Sequence, residues 1–98
     1  MYEVGLKESY FPAQADGALE ELTIGDMLRR STAAYGDAPA LREVLASGDY
    51  GRAWTYAELL ADCERLARAL ASRHAKGARI AVWANTVPEW ILLELASD

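Results

Sequence analysis

Few side chains in this 98-residue sequence are suited to covalent chemistry. There is one histidine, His74, and one cysteine, Cys63. His74 is a general base by type. It falls at the end of a helical pattern, however, where a cation complements the negative end of the dipole. Cys63 is a nucleophile by type, but it lies in an apolar helical stripe, where a cysteine behaves as a small hydrophobe. His74 stands three turns further along the same helix and gives Cys63 no base. The nearest approach to a glycine-rich phosphate loop is "SGDYGR", residues 47–52. It matches neither the Walker nor the dinucleotide pattern and reads as a hairpin turn. Glu89 follows an expected strand, where α/β proteins often bind ligands, but it also completes a capping box with Thr86. Asn85, at the same junction, reads as a turn former. Trp54, Trp83 and Trp90 have the ring surface to stack on a flat ligand, yet they read as core residues whose indole N–H finds a carbonyl.

The elements that would position these residues follow from the pattern of the chain. Residues 1–22 carry Gly5, Pro12, Gly17 and the aromatics Tyr2, Tyr10 and Phe11, an irregular lead-in that drapes over a surface. In Thr23-Ile24-Gly25-Asp26 a hydroxyl caps a helix and an acid sits near the positive end of its dipole. Ile24, Met27, Leu28, Ala34 and Tyr35 form its stripe, with Ser31 in the gap, and Gly36 ends it as the C′ residue. Residues 38–45 and 52–54 read as two strands joined at Ser47-Gly48-Asp49-Tyr50-Gly51, a hairpin. Thr55-Tyr56-Ala57-Glu58 is a capping box. The long helix behind it repeats Leu59, Cys63, Leu66 and Leu70, with Leu60 and Ala67 widening the stripe. Asp62–Arg65 and Glu64–Arg68 are spaced to pair on its wet face.

Ala75-Lys76-Gly77 breaks that helix. "ARIAVWA" then reads as a strand over residues 79–84, covered on both faces. Strand, helix, strand is the βαβ pattern, which favours a parallel neighbour and a right-handed crossover. Thr86-Val87-Pro88-Glu89 opens a last helix with proline in its first turn. Trp90, Ile91, Leu93 and Leu95 make this helix apolar on more than one face, as expected inside a larger α/β layer structure. The fold class is α/β, and the chain reads as one piece of a larger layered structure.

Composition removes several classes of function. A chain of this length buries roughly 60–65% of its unfolded surface, so its core is modest. The net charge is −5 and the only lysines are Lys7 and Lys76, which argues against nucleic acid. A single cysteine excludes an internal disulfide and a zinc site built on paired cysteines. A reducing cytoplasm is the simplest location. Glu3, Lys7 and Glu8 occupy the N-terminus without an apolar h-region, so no signal peptide is read. The longest apolar runs, residues 80–84 and 90–93, are far short of a membrane span.

"TIGDMLRRSTAAYGDAPAL", a hairpin, "WTYAELLADCERLARAL" and "ARIAVWANTVPEWILLELA" together resemble the N-terminus of the acyl-CoA synthetases, within the AMP-binding, adenylate-forming ligase superfamily. The resemblance spans residues 22–96. Its most telling words are "TYAEL" and N-x-x-P-E-W, and the "PEW" ending is closer to fatty-acyl and related aryl or medium-chain acyl ligases than to peptide synthetase modules. It implies an N-terminal segment of the AMP-binding domain over residues 23–98, cut before the phosphate loop. It also implies a parent acid–thiol ligase. In that reaction a carboxylate attacks the α-phosphate of ATP, pyrophosphate leaves, and the thiol of coenzyme A displaces AMP. Mg²⁺ offsets phosphate charge. The family's phosphate loop, nucleotide contacts, hinge and catalytic lysine lie downstream, so the resemblance assigns no catalytic, cofactor-binding or metal-binding residue here.

The expected partner is the remainder of the parent enzyme, with self-association through the apolar helix Pro88–Ala96 where that remainder is missing. The competing expectation is a stand-alone interaction or dimerisation module that uses the same helix. A membrane-surface role for it is disfavoured, since it carries Glu89 and Glu94 and no base.

Overall fold

The computed structural model describes residues 5, 7–15 and 17–97. Residues 1–4, Leu6, Asp16 and Asp98 lie outside the described residues, and with them Tyr2 and Glu3 of the expected lead-in and the last residue of the expected 23–98 unit. The described part of the lead-in carries no helix or strand. Four elements of the expected order are present. They are α1 (Ile24–Tyr35), the hairpin β1 (Pro39–Val44) and β2 (Tyr50–Thr55), α2 (Tyr56–Arg73) and α3 (Pro88–Ala96).

Local chemistry explains where each begins. The Thr23 hydroxyl accepts the Asp26 backbone N–H at 3.0 Å and starts α1. In α2 the box closes in both directions: Glu58 N–H donates to Thr55 Oγ1 at 3.2 Å, and Thr55 N–H donates to Glu58 Oε1 at 3.1 Å. The first two N–H groups of α2 are also taken, Tyr56 donating to Ala38 O and Ala57 to Gly36 O. Thr55→Ala is therefore expected to cost about 1 kcal/mol in a urea titration, with an unchanged m-value.

The hairpin loop is residues 45–49. It is closed by Leu45 N–H to Asp49 O and Gly48 N–H to Leu45 O, with Gly48 at φ 87°. A left-handed residue at that point is what makes glycine the low-cost choice. Strand pairing is antiparallel, with Leu41 opposite Trp54 and Arg42 opposite Ala53, and irregular at both ends.

The core lies where the hairpin, α1 and α2 meet. Leu28, Trp54, Leu59 and Cys63 are buried there, flanked by Ala40, Leu41, Tyr56, Leu60, Leu92 and Leu95. The α1 stripe sits at an angle to the expected one. Met27 and Tyr35 are exposed, while Ser31 and Thr32 are half-buried, Thr32 Oγ1 donating to Leu28 O at 2.8 Å. The Cα radius of gyration is 18.0 Å, against about 13 Å for a compact domain of this length, and residues 17–22 and 75–86 are exposed along their length.

Three expectations are corrected. Residues 79–84 form no strand, and every one of them is exposed. The sheet among the described residues is the two-stranded antiparallel hairpin, so the parallel βαβ unit is not made. A strand exists only by hydrogen bonding to a neighbour, and residues 79–84 make no backbone hydrogen bond to the hairpin. Thr86 does not cap α3. The N-cap is Val87, with no side-chain bond, because Pro88 is already the first helical residue. Gly36 ends α1 as a right-handed cap at φ −49°, not as a left-handed C′ residue.

Candidate functional site

A dense cluster of charge among the described residues joins the hairpin to α3. Gly51 leaves room for it: a β-carbon there would stand 2.5 Å from Glu43 Oε1, so any other residue would make that carboxylate shift. Glu43 then accepts from Arg52 three times, from its backbone N–H at 3.2 Å, Nε at 3.1 Å and Nη2 at 2.9 Å. The remaining face of the guanidinium reaches α3, where Nη1 donates to Glu89 Oε1 at 2.6 Å. Its carbon also sits 5.5 Å from the Trp54 ring centre. Beyond the Trp54 ring, Nε1–H donates to Asp62 Oδ2 at 2.8 Å, and Asp62 pairs with Arg65 on α2. One guanidinium thus ties β1, β2 and α3 together, and the tryptophan extends the network to α2.

Hydrogen bonds from Arg52 hold both carboxyls, Glu43 and Glu89, below the ordinary carboxylate range. Those same bonds, Glu43 first, make the guanidinium still harder to deprotonate. A carboxylate with a depressed folded pKa contributes stability above its unfolded pKa and loses it as pH falls through the folded value. Acidification from neutrality to below roughly pH 4 is therefore expected to free the start of α3 before the core opens. Amide exchange of residues 89–92 should accelerate with acid beyond the intrinsic rate change, and Glu89→Gln should show that acceleration at neutral pH.

A groove of about 490 Å³ runs between β1 and the start of α3, lined by Leu41, Val44, Val87, Pro88 and Ile91 among others. Of its charged members, Arg42 lies over the Tyr50 ring and Glu43 is held by Arg52, and the groove brings no reacting pair together among the described residues.

The residues of chemical type stand apart from one another. Cys63 is buried in the core, and burial raises its thiol pKa, so it is a poor nucleophile. His74 is the exposed C-cap of α2, its backbone N–H bonded to Leu70 O. Trp54 is core with a carboxylate partner; Trp83 is wholly exposed and Trp90 partly so. Asn85 sits in a bend, as a turn former would. Arg65 pairs with Asp62 as spaced, whereas Glu64 faces Arg29 of α1 at 3.8 Å and not Arg68.

Gly48 N–H is committed to Leu45 O, the three leading N–H groups of α2 are bonded, and Arg52 is held by two carboxylates. No cluster of three metal-ligating side chains occurs among the described residues. None of their helices is long and apolar enough to cross a membrane.

The Arg52 network escapes a reading of the sequence because Glu89 lies 37 positions from its partner. The nearby Thr86 gave that acid a sufficient local explanation. The only sequence signal was Gly51, on the strand beside Arg52.

By its fold the described part of the chain is a small α/β segment in which α2 and α3 pack on an antiparallel hairpin and α1 packs on those two helices. The family model described as AMP-binding enzyme matches residues 28–97, well over half of the sequence, and the chain belongs to that family, within the adenylate-forming ligases. Comparison with curated proteins and with solved structures found no match.

Proposed function

We propose that this chain is the N-terminal structural segment of an ATP-dependent acyl-CoA ligase, a cytoplasmic enzyme that adenylates a carboxylic acid and passes the acyl group to coenzyme A. The family match over residues 28–97 carries the ligase part of the reading. The acyl-CoA part draws on "TYAEL" at the start of α2 and "NTVPEW" at the start of α3, the words that most resemble acyl-CoA synthetases. ATP, Mg²⁺ and coenzyme A are the cofactors this reading implies for the parent enzyme, with the residues that hold them downstream of this segment. The 98 residues contribute scaffold: the Arg52 network fixes α3 against the hairpin, and the remainder of the parent covers what α3 leaves exposed.

The test is ATP–pyrophosphate exchange, measured with a panel of carboxylic acids on the 98-residue chain and on the longest open reading frame that contains it. The expected result is exchange by the long protein and none by the short one. Exchange by the short chain would refute the scaffold role, and a long protein inert with every acid would refute the ligase assignment.

A second reading treats the chain as a stand-alone interaction module. It draws on Trp90 and Ile91, which remain exposed on α3. Capture of a partner lost on Trp90→Gln and Ile91→Gln, in a cell that makes no longer form of the protein, would favour it.

A further inference from the structure

The segment corrected above has a geometry of its own. Among the described residues, 79–86 are joined to no other segment by a backbone hydrogen bond, so 79–84 presents open donors and acceptors along an apolar stretch without acid or proline. Its side chains alternate. Ile80 and Val82 are 41% and 42% exposed and line a groove of about 250 Å³ with Trp90 and Leu93 of α3. Trp83 points the other way, 98% exposed. That period of two is the habit of a strand resting one face on α3. Open strand edges of this composition pair with another chain.

We infer that in the isolated 98-residue protein the occupant of this edge is a second copy of the same segment, paired antiparallel about Ala81. Charge selects the arrangement. A parallel pair would stack Arg79 on its counterpart, a direct like-charge contact. In the antiparallel pair centred on Ala81, Arg79 faces Trp83 of the other copy, a cation over an aromatic ring, twice by symmetry. The two Arg79 side chains then lie four residues apart along the ribbon, about 14 Å, beyond the screening length at physiological salt. Ile80 faces Val82 of the other copy, so both copies extend the apolar face that already rests on α3. Helix α3 is the weaker contact surface, because Leu92, Leu95 and Ala96 are spent on its own core. A two-stranded ribbon is marginal by itself, and the association is expected to be weak and concentration-dependent.

The pairing makes Ala81 its own neighbour, with Cα atoms about 4.5–5.5 Å apart, inside the range a disulfide spans. Ala78, by contrast, lies about 20 Å from its counterpart. Sedimentation equilibrium of the native chain should show a monomer–dimer equilibrium. Under mild oxidation Ala81→Cys should form a covalent dimer at least about tenfold faster than Ala78→Cys, while native Cys63 stays out of reach in the core. Val82→Pro or Ala81→Pro, one of which must remove a donor facing the other copy, should abolish the dimer with the far-UV spectrum of the helices retained. A monomer at every accessible concentration overturns the inference. So does a dimer that cross-links equally at both positions and survives both prolines, which would move the contact to α3. None of these outcomes depends on the ligase assignment, which pyrophosphate exchange reads separately.

Discussion

Leu59→Ala is expected to leave the chain unfolded or nearly so at 37 °C. Leu59 is 4% exposed and sits in the first turns of α2, against Leu28, Trp54 and Cys63. Removing a buried leucine side chain costs about 2–5 kcal/mol, from lost transfer energy and from the cavity left behind. Small domains have about 5–15 kcal/mol in total, and one whose central cluster holds four buried residues among those described belongs at or below the low end. Even the lower cost should depress the melting temperature by more than about 8 °C. Thermal denaturation followed by far-UV circular dichroism checks this, with half-buried Leu66→Ala as the milder control. If both variants melt alike, Leu59 is not the centre of the core.

Trp54→Ala is expected to be as severe, and for two separable reasons. The ring is the largest side chain in the core, and truncating a buried aromatic costs about 3–5 kcal/mol. Its Nε1–H also holds Asp62, while Arg52 lies against the ring. Trp54→Phe separates the two contributions. It keeps most of the apolar area and gives up the hydrogen bond, about 1 kcal/mol where water can reach the freed carboxylate. The double variant Trp54→Phe with Asp62→Ala should cost less than the sum of the single variants, because both remove one bond. Strict additivity would mean that the indole and the carboxylate do not interact in solution. Trp54→Ala should also loosen α3, since the ring backs the guanidinium that grips Glu89. Faster amide exchange at residues 89–92 in that variant would report it.

Core and charge network divide the work between them. The apolar cluster binds the hairpin and α1 to α2, and Arg52 adds a directional tie to α3 across 37 positions. Its ion pairs are exposed, so they set the place of α3 more than they stabilise the chain. Placing α3 in turn places the groove in which Ile80 and Val82 rest. The pH response of α3 and the availability of the 79–84 edge are therefore linked through one arginine.

What the sequence determined by itself is whatever closes within one turn of chain. Thr23 with Asp26, Thr55 with Glu58, and Gly48 in its loop are contacts over three or fewer intervening residues, and each forms as read. The stripe of α2 was legible for the same reason, since 3.6-residue periodicity carries Leu59 and Cys63 to one face wherever the helix lies. The tertiary structure decided the contacts whose partners are distant. It turned Glu89 from a capping residue into the partner of Arg52, because β2 brings a guanidinium to its carboxylate, while Thr86, whose backbone N–H a capping box would offer, lies one residue before the N-cap. It set which side of α1 is buried, leaving Met27 in water and drawing in Thr32. It also left residues 79–84 without the strand their composition asks for. Apolar β-branched residues make a segment fit to be a strand, but the hydrogen bonds that make it one belong to a neighbour, and no pattern within those six residues supplies it.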